Sequence, residues 1–265
     1  MAQRVAIGIE YDGRAFCGWQ TQPGGCAIQD RVEAALAQVH GAPVATIAAG
    51  RTDAGVHALA QVVHFDAEHV RPASAWVRGV NAFLPAGISV LWARAIGDGF
   101  DARRSAIERC YRYFLINRSV RPALLAGRVG WLHGEIDDAA MQAAATHLVG
   151  THDFSAFRAA DCQARTPIRD MRAVTVERRG EMIQFEFRAN AFLHHQVRNM
   201  VGALAWVGLR RRPPEWVADV LASRDRRLGA ATFAPDGLYL VEVKYDQHWG
   251  LPASGGIIPF LIPAA

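Results

Sequence analysis

The hydrophobic pattern alternates between a period of two and a period of 3.6 in one order, then repeats that order. This recurrence limits the possible folds more than any other feature of the chain. Val5, Ile7, Ile9 and Tyr11 alternate as a strand does. Ile28, Val32, Leu36 and Val39 then mark an amphipathic helix, stopped by Gly41 and Pro43. Residues 44–49 and 61–65 read as strands. Ser74 is placed to cap a helix carrying Val77, Val80 and Leu84, and residues 88–96 read as a strand. The order is βαββαβ.

The second half repeats it. Residues 109–116 alternate, and Asp137 or Asp138 can cap a helix through Met141, Ala144, Ala145 and Leu148. Residues 171–177 and 182–187 form a hairpin pattern around Arg179-Gly180. Residues 194–209 carry a long apolar stripe, a short helix follows Pro213-Pro214, and 238–245 reads as a last strand. Two βαββαβ runs are the ferredoxin-like split motif used twice. The expected fold is therefore α+β: two such halves, 1–105 and 106–249, joined through a mixed, mainly antiparallel sheet. An apolar tail, 250–265, would pack on the body or on a second copy, or be disordered.

No apolar run reaches the roughly 18 residues that a membrane helix needs, and the N-terminus shows no signal-peptide core. A cytoplasmic protein is expected. Cys17, Cys26, Cys110 and Cys162 are scattered without a CxxC pair, so neither a disulfide framework nor a zinc site is expected. The net charge is +4, and Lys244 is the single lysine among 29 basic residues. Arginine suits phosphate and base contacts, so a polyanionic partner fits this balance.

Three segments carry chemistry. The first, Gly50-Arg51-Thr52-Asp53-Ala54-Gly55-Val56-His57, lies between two apolar strands. Its glycines allow a tight loop and close approach of a ligand. On spacing alone, the plainer reading is a turn whose Asp53 bonds neighbouring amides. The second, His194-His195-Gln196-Val197-Arg198-Asn199-Met200-Val201-Gly202, sets Arg198 beside an apolar stripe near a helix start. The third, Arg109-Cys110-Tyr111-Arg112-Tyr113-Phe114, puts Tyr111 and Tyr113 on one face of a strand, where they can stack bases or fill a core.

Together these segments resemble the three signatures of the TruA family of tRNA pseudouridine synthases. Glu10-Tyr11-Asp12-Gly13, Gly18-Trp19-Gln20 and Asp153-Phe154-Ser155-Ala156-Phe157 match as well, in the family's order, over roughly residues 4–245. The resemblance implies a pseudouridine synthase fold with helices on one side of the sheet, and a homodimer. It implies uridine isomerisation in the anticodon stem-loop of tRNA, at positions 38, 39 and/or 40, with neither metal nor cofactor. It assigns a catalytic nucleophile to Asp53, an active-site tyrosine to Tyr111 and an arginine partner for the aspartate to Arg198, so a cleft between the halves is expected. Arg51, two residues before Asp53, would face the substrate with it and fill the space of the flipped nucleotide. Arg14, Arg78, Arg103, Arg104, Arg165 and Arg169 are candidate phosphate contacts. Two other classes compete. A metal-dependent hydrolase would use His57, His64, His194 and His195 with Asp53, but no HExxH spacing supports it. A non-catalytic RNA-binding module leaves the Arg-Thr-Asp loop without a purpose.

Overall fold

The computed structural model describes residues 3–252. The tail reading for 250–265 lies, past Pro252, outside the described residues. Two compact units form among the described residues: one from 3–107 together with 239–252, the other from Glu108 to Leu238. The α+β class expected from the periodicity is the one found, and no helix among the described residues is long and apolar enough to cross a membrane.

In the first unit, β1 (Gln3–Tyr11) lies between β3 (His57–Ala67) and β4 (Ile88–Ile96), antiparallel to both. The short β2 (Ile47–Ala48) pairs antiparallel with β3. α1 (Ile28–His40) buries the expected stripe: Ile28, Val32 and Leu36 are fully buried. Each such side chain contributes about 1.5–3 kcal/mol. The helix ends where Gly41 takes φ +96°, and its N–H closes on the Ala37 carbonyl.

Two details depart from the periodicity. Ser74 is not a cap. It is itself helical, and the helix around Val77 is wound as a π-turn over Ala75–Gly79, which buries Trp76 against Phe65. The last strand of the chain, β10 (Leu238–Tyr245), was expected in the second half. It pairs parallel with β3, Tyr239 opposite His57.

The second unit is built on β5 (Ala106–Asn117). It pairs antiparallel with β9 (Met182–Ala189), which pairs with β8 (Ile168–Arg179), which pairs with β7 (Gly150–Asp153). The short β6 (Gly130–Leu132) adds a parallel pair to β5. Neither β6 nor β7 is visible in the periodicity, because three or four residues cannot establish a period of two. α2 (Asp138–Thr146) starts at Asp137, whose carboxylate accepts the Ala140 N–H, and packs on β8 and on α3 (Gln196–Gly208). Phe185, Phe187 and Tyr113 are fully buried. Alternation along these strands sends charges to the opposite face. There Arg112 meets Glu186 at 2.7 Å, Arg188 bridges Glu186 and Glu108, and Arg172 closes on Glu108 at 2.9 Å.

Candidate functional site

The Asp53 loop is held from below by uncharged groups. Gln61, fully buried on β3, donates from its amide nitrogen to the Gly50 carbonyl at 2.6 Å. Its amide oxygen accepts the Gly50 N–H at 3.4 Å. One side chain thus satisfies both backbone groups of the residue that opens the loop. Two residues on, the Thr52 hydroxyl meets the Tyr11 hydroxyl at 2.7 Å, and Gln61 also reaches Tyr11 at 3.4 Å. Burial pushes the Tyr11 phenol up to about 12, against the opposing pull of Thr52 and Gln61. Tyr11 is therefore neutral at physiological pH and keeps a proton to donate.

From above, the segment after β1 closes against the loop backbone. The Trp19 N–H donates to the Thr52 carbonyl at 2.9 Å. Gly18, at φ +94°, has no room for a side chain: a Cβ there would stand 2.8 Å from the Thr52 oxygen and 3.1 Å from the Ala54 nitrogen. Gly13 is in the same position against the Val56 carbonyl. Cys17 and Cys26 form a disulfide in this segment, their Cα atoms 5.5 Å apart. The expectation of no disulfide is corrected here. The Cys17 N–H bonds the Cys26 carbonyl, so a local turn joins two cysteines whose spacing matches no familiar motif. Cys110 and Cys162 are free thiols.

Within this frame Thr52 turns inward, Asp53 is half-buried and Arg51 is exposed. The Asp53 carbonyl accepts the Val56 N–H at 3.1 Å, which tightens the turn. His57 accepts the Gly13 N–H, stacks on Tyr239 and stands 3.4 Å from Asp12. Burial pushes the Asp12 carboxyl up, but hydrogen bonds from Arg14 outweigh this and hold it below the ordinary carboxylate range. His64 accepts the Ala102 N–H at 3.0 Å. Both histidines thus have structural partners.

In the second unit, Tyr111 sits on β5 with 7% of its surface exposed, its ring edge-on to Phe192 at 5.1 Å. Tyr113 settles the choice between base stacking and core for itself. It is fully buried, its hydroxyl donates to the Ala234 carbonyl, and Gly130 leaves room for it. Arg198, in the first turn of α3, is clamped to Phe233 in both directions. Its Nε donates to the Phe233 carbonyl at 2.9 Å, and the Phe233 N–H donates back to the Arg198 carbonyl at 3.2 Å. The residue ahead of the helix, His195, takes φ +61°, a conformation uncommon for a bulky side chain.

The candidate residues divide two and two: Arg51 and Asp53 in the first unit, Tyr111 and Arg198 in the second. Two of the candidate phosphate contacts are engaged within the chain. Arg14 is paired with Asp12 at 2.6 Å. Arg169 is buried and donates to the carbonyls of Thr166 and Ile168. Arg78, Arg103, Arg104 and Arg165 are exposed. Sequence reasoning missed Gln61, Tyr11 and Asn199. The Asn199 amide nitrogen donates to the Phe157 carbonyl at 2.7 Å, and its oxygen accepts from Arg226 and from the Thr232 hydroxyl. Tyr11 and Asn199 do lie inside the matched segments, but the roles of all three depend on partners 11 to 50 residues distant.

The chain matches the family described as tRNA pseudouridine synthase over residues 7–103 and 144–246. It is 54% identical over 259 residues to tRNA pseudouridine synthase A of Paraburkholderia xenovorans (strain LB400), covering 97% of this chain and 96% of the relative. It is 56% identical over 251 residues to the protein of the same name from Methylobacillus flagellatus, covering 95% and 96%. The corresponding figures for that of Aromatoleum aromaticum are 57% over 255 residues, covering 96% and 97%.

Proposed function

Because the chain belongs to the tRNA pseudouridine synthase family, and so is an isomerase acting on tRNA, we propose that Asp53 is its reacting carboxylate and that its targets are uridines 38, 39 and/or 40 of the anticodon stem-loop. The reaction breaks the N1–C1′ bond of uridine, turns the freed uracil and joins C5 to C1′. The C5 proton leaves and N1 gains one, so atoms balance and no electrons are exchanged.

The observation that carries the reading is how Asp53 is held. Thr52 is tied inward to Tyr11 and Gly50 is clasped by Gln61, while the Asp53 carbonyl closes its own turn. The carboxylate therefore leaves a backbone with little freedom, as a group that must meet a reacting carbon or proton requires. It can attack C1′ or remove a proton at C2′, and later at C5; both routes need it ionised. Tyr111, nearly buried and edge-packed, offers a fixed aromatic surface for the base and a hydroxyl for the C5 proton. Arg198 is the arginine partner that the family resemblance assigns to the aspartate, and its clamp on Phe233 fixes where it acts. Exposed Arg51 fills the place of the flipped nucleotide, which offsets part of the few kcal/mol that unstacking costs. The protein acts in the cytoplasm as a homodimer.

Tritium at uridine C5 tests the reading, since isomerisation releases it to water. Purified protein given several labelled tRNAs should release it, and sequencing should place each pseudouridine at 38, 39 or 40. Conversion only at other positions would refute the regional assignment, and Arg51→Ala with unchanged KM would refute that residue's part.

A further inference from the structure

We propose that an open cavity in the second unit, lined by Arg158, Arg224, Arg226 and Ser155, binds a phosphodiester of the tRNA backbone; this rests on the reading that tRNA is the substrate. The cavity has a volume of about 290 Å³, and Ala159, Ala160 and Asp225 complete its wall.

Arg226 is the reason to expect an anion. Its guanidinium is half-buried and is held by neutral groups: one nitrogen, Nη2, donates to Asn199 Oδ1 at 3.0 Å and to the Thr232 hydroxyl at 3.2 Å. Among the described residues no carboxylate pairs with it. Burial lowers its pKa, and no acidic neighbour opposes that shift. A partly desolvated cation without a counter-charge is costly to maintain, and buried charges are normally paired. Asn199 and Thr232 supply geometry without neutralising charge, which leaves the guanidinium oriented for a ligand that brings the charge itself.

The rim adds to the positive balance. Arg158 makes no side-chain hydrogen bond among the described residues, and Arg224 is mostly exposed, reaching Asp153 only at 3.5 Å. Of the nearby carboxylates, Asp225 alone lines the cavity, and Asp161 pairs with His194. Asp225 accepts from the Arg227 backbone and, at 2.6 Å, from its guanidinium. Asp153 accepts the Ser155 N–H. Three lining guanidiniums (Arg158, Arg224, Arg226) thus stand against one lining carboxylate, Asp225.

The position suits a nucleic-acid backbone. The Ala159 N–H donates to the His194 carbonyl, just ahead of α3, and Asn199, which holds Arg226, follows Arg198 directly. The side chain that orients Arg226 thus comes from the residue next to an arginine proposed to act in the reaction. Several guanidiniums converging on an open cavity match a tetrahedral anion and carry no base specificity, as backbone contacts should.

The test is tRNA binding measured across a salt series for wild type, for the double variant Arg158→Gln, Arg224→Asn, and for Arg179→Gln on the exposed hairpin as a control. The double variant should raise Kd roughly five- to tenfold. The slope of log affinity against log salt should become shallower by about 0.9 for each phosphate no longer neutralised. Arg179→Gln should change neither. If the double variant does not fold, Arg158→Gln alone should move both quantities the same way by less. An unchanged Kd and slope in folded variants would overturn the proposal. So would saturable binding of inorganic phosphate that the variants abolish without weakening tRNA, since the cavity would then serve a free anion. Wild type that neither binds tRNA nor releases tritium would instead refute the functional reading, which separates the two failures.

Discussion

The Asp53 loop and the Arg226 cavity are both polar, yet they are built by opposite means. The loop is held by neutral hydrogen bonds from Gln61, Tyr11 and Thr52, and by glycines that let one backbone lie on another. The cavity is held by neutral groups too, but these orient a cation that no carboxylate among the described residues matches. A group that reacts needs a fixed position, and neutral partners supply this without altering its charge. A group that captures a polyanion needs surplus charge, and neutral partners preserve it. The charge ladder on β5, β9 and β8 makes the contrast plain. There Arg112, Arg188 and Arg172 alternate with Glu186 and Glu108, and mutual pairing leaves little field for a ligand.

The largest effect should come from forcing the loop off its support. In Gly13→Ala the new methyl would meet the Val56 carbonyl, which is backbone and cannot swing aside. Overpacking of this kind costs about 2–3 kcal/mol, and turnover should fall about 100-fold as the loop shifts. Normal turnover would show that the loop tolerates displacement. Gln61→Leu ranks next. It leaves both polar groups of Gly50 without their buried partner, which costs about 1–3 kcal/mol. Turnover should drop about tenfold while tRNA affinity is retained, because the cavity is untouched. A loss confined to Kd would invert the comparison.

Salt should separate the two regions further. Raising it should weaken tRNA affinity steeply, whereas turnover at saturating tRNA should hold, because the hydrogen bonds of Gln61, Tyr11 and Thr52 that support the loop join neutral groups. The smallest effect concerns acid. Burial pushes Glu186 up, but Arg188 and Arg112 outweigh it, so its folded pKa lies below the unfolded value. A depressed carboxylate contributes stability above its unfolded pKa, near 4.3. That contribution is lost as pH falls through the folded pKa. Melting temperature followed from pH 7 to pH 3 should fall less steeply in Glu186→Gln than in wild type. Parallel curves would remove the ladder from the account.

What the sequence made legible follows the range of the interactions. The βαββαβ order was readable because α1 and β1 place apolar residues at their own period, and helix ends were readable where Gly41 or Asp137 acts within a few residues. The parallel pairing of Tyr239 with His57 was not, since nothing local marks which strand a neighbour will be. The Asp53 loop stood out by composition, although spacing alone favoured a plain turn. The support from Gln61 and Tyr11, and the neutral cradle of Arg226, join residues 6 to 50 positions apart. A single charge in a run such as Arg224-Asp225-Arg226-Arg227 does not reveal which members neutralise each other.

The central claim is that Asp53, held by this loop, performs the chemistry. Single-turnover release of C5 tritium by Asp53→Asn, at protein concentrations that saturate labelled tRNA, tests it most directly. The substitution keeps size and shape while removing the charge. Binding should match wild type, and release should fall below detection. Release at the wild-type rate from tRNA-bound Asp53→Asn would place the reacting group elsewhere.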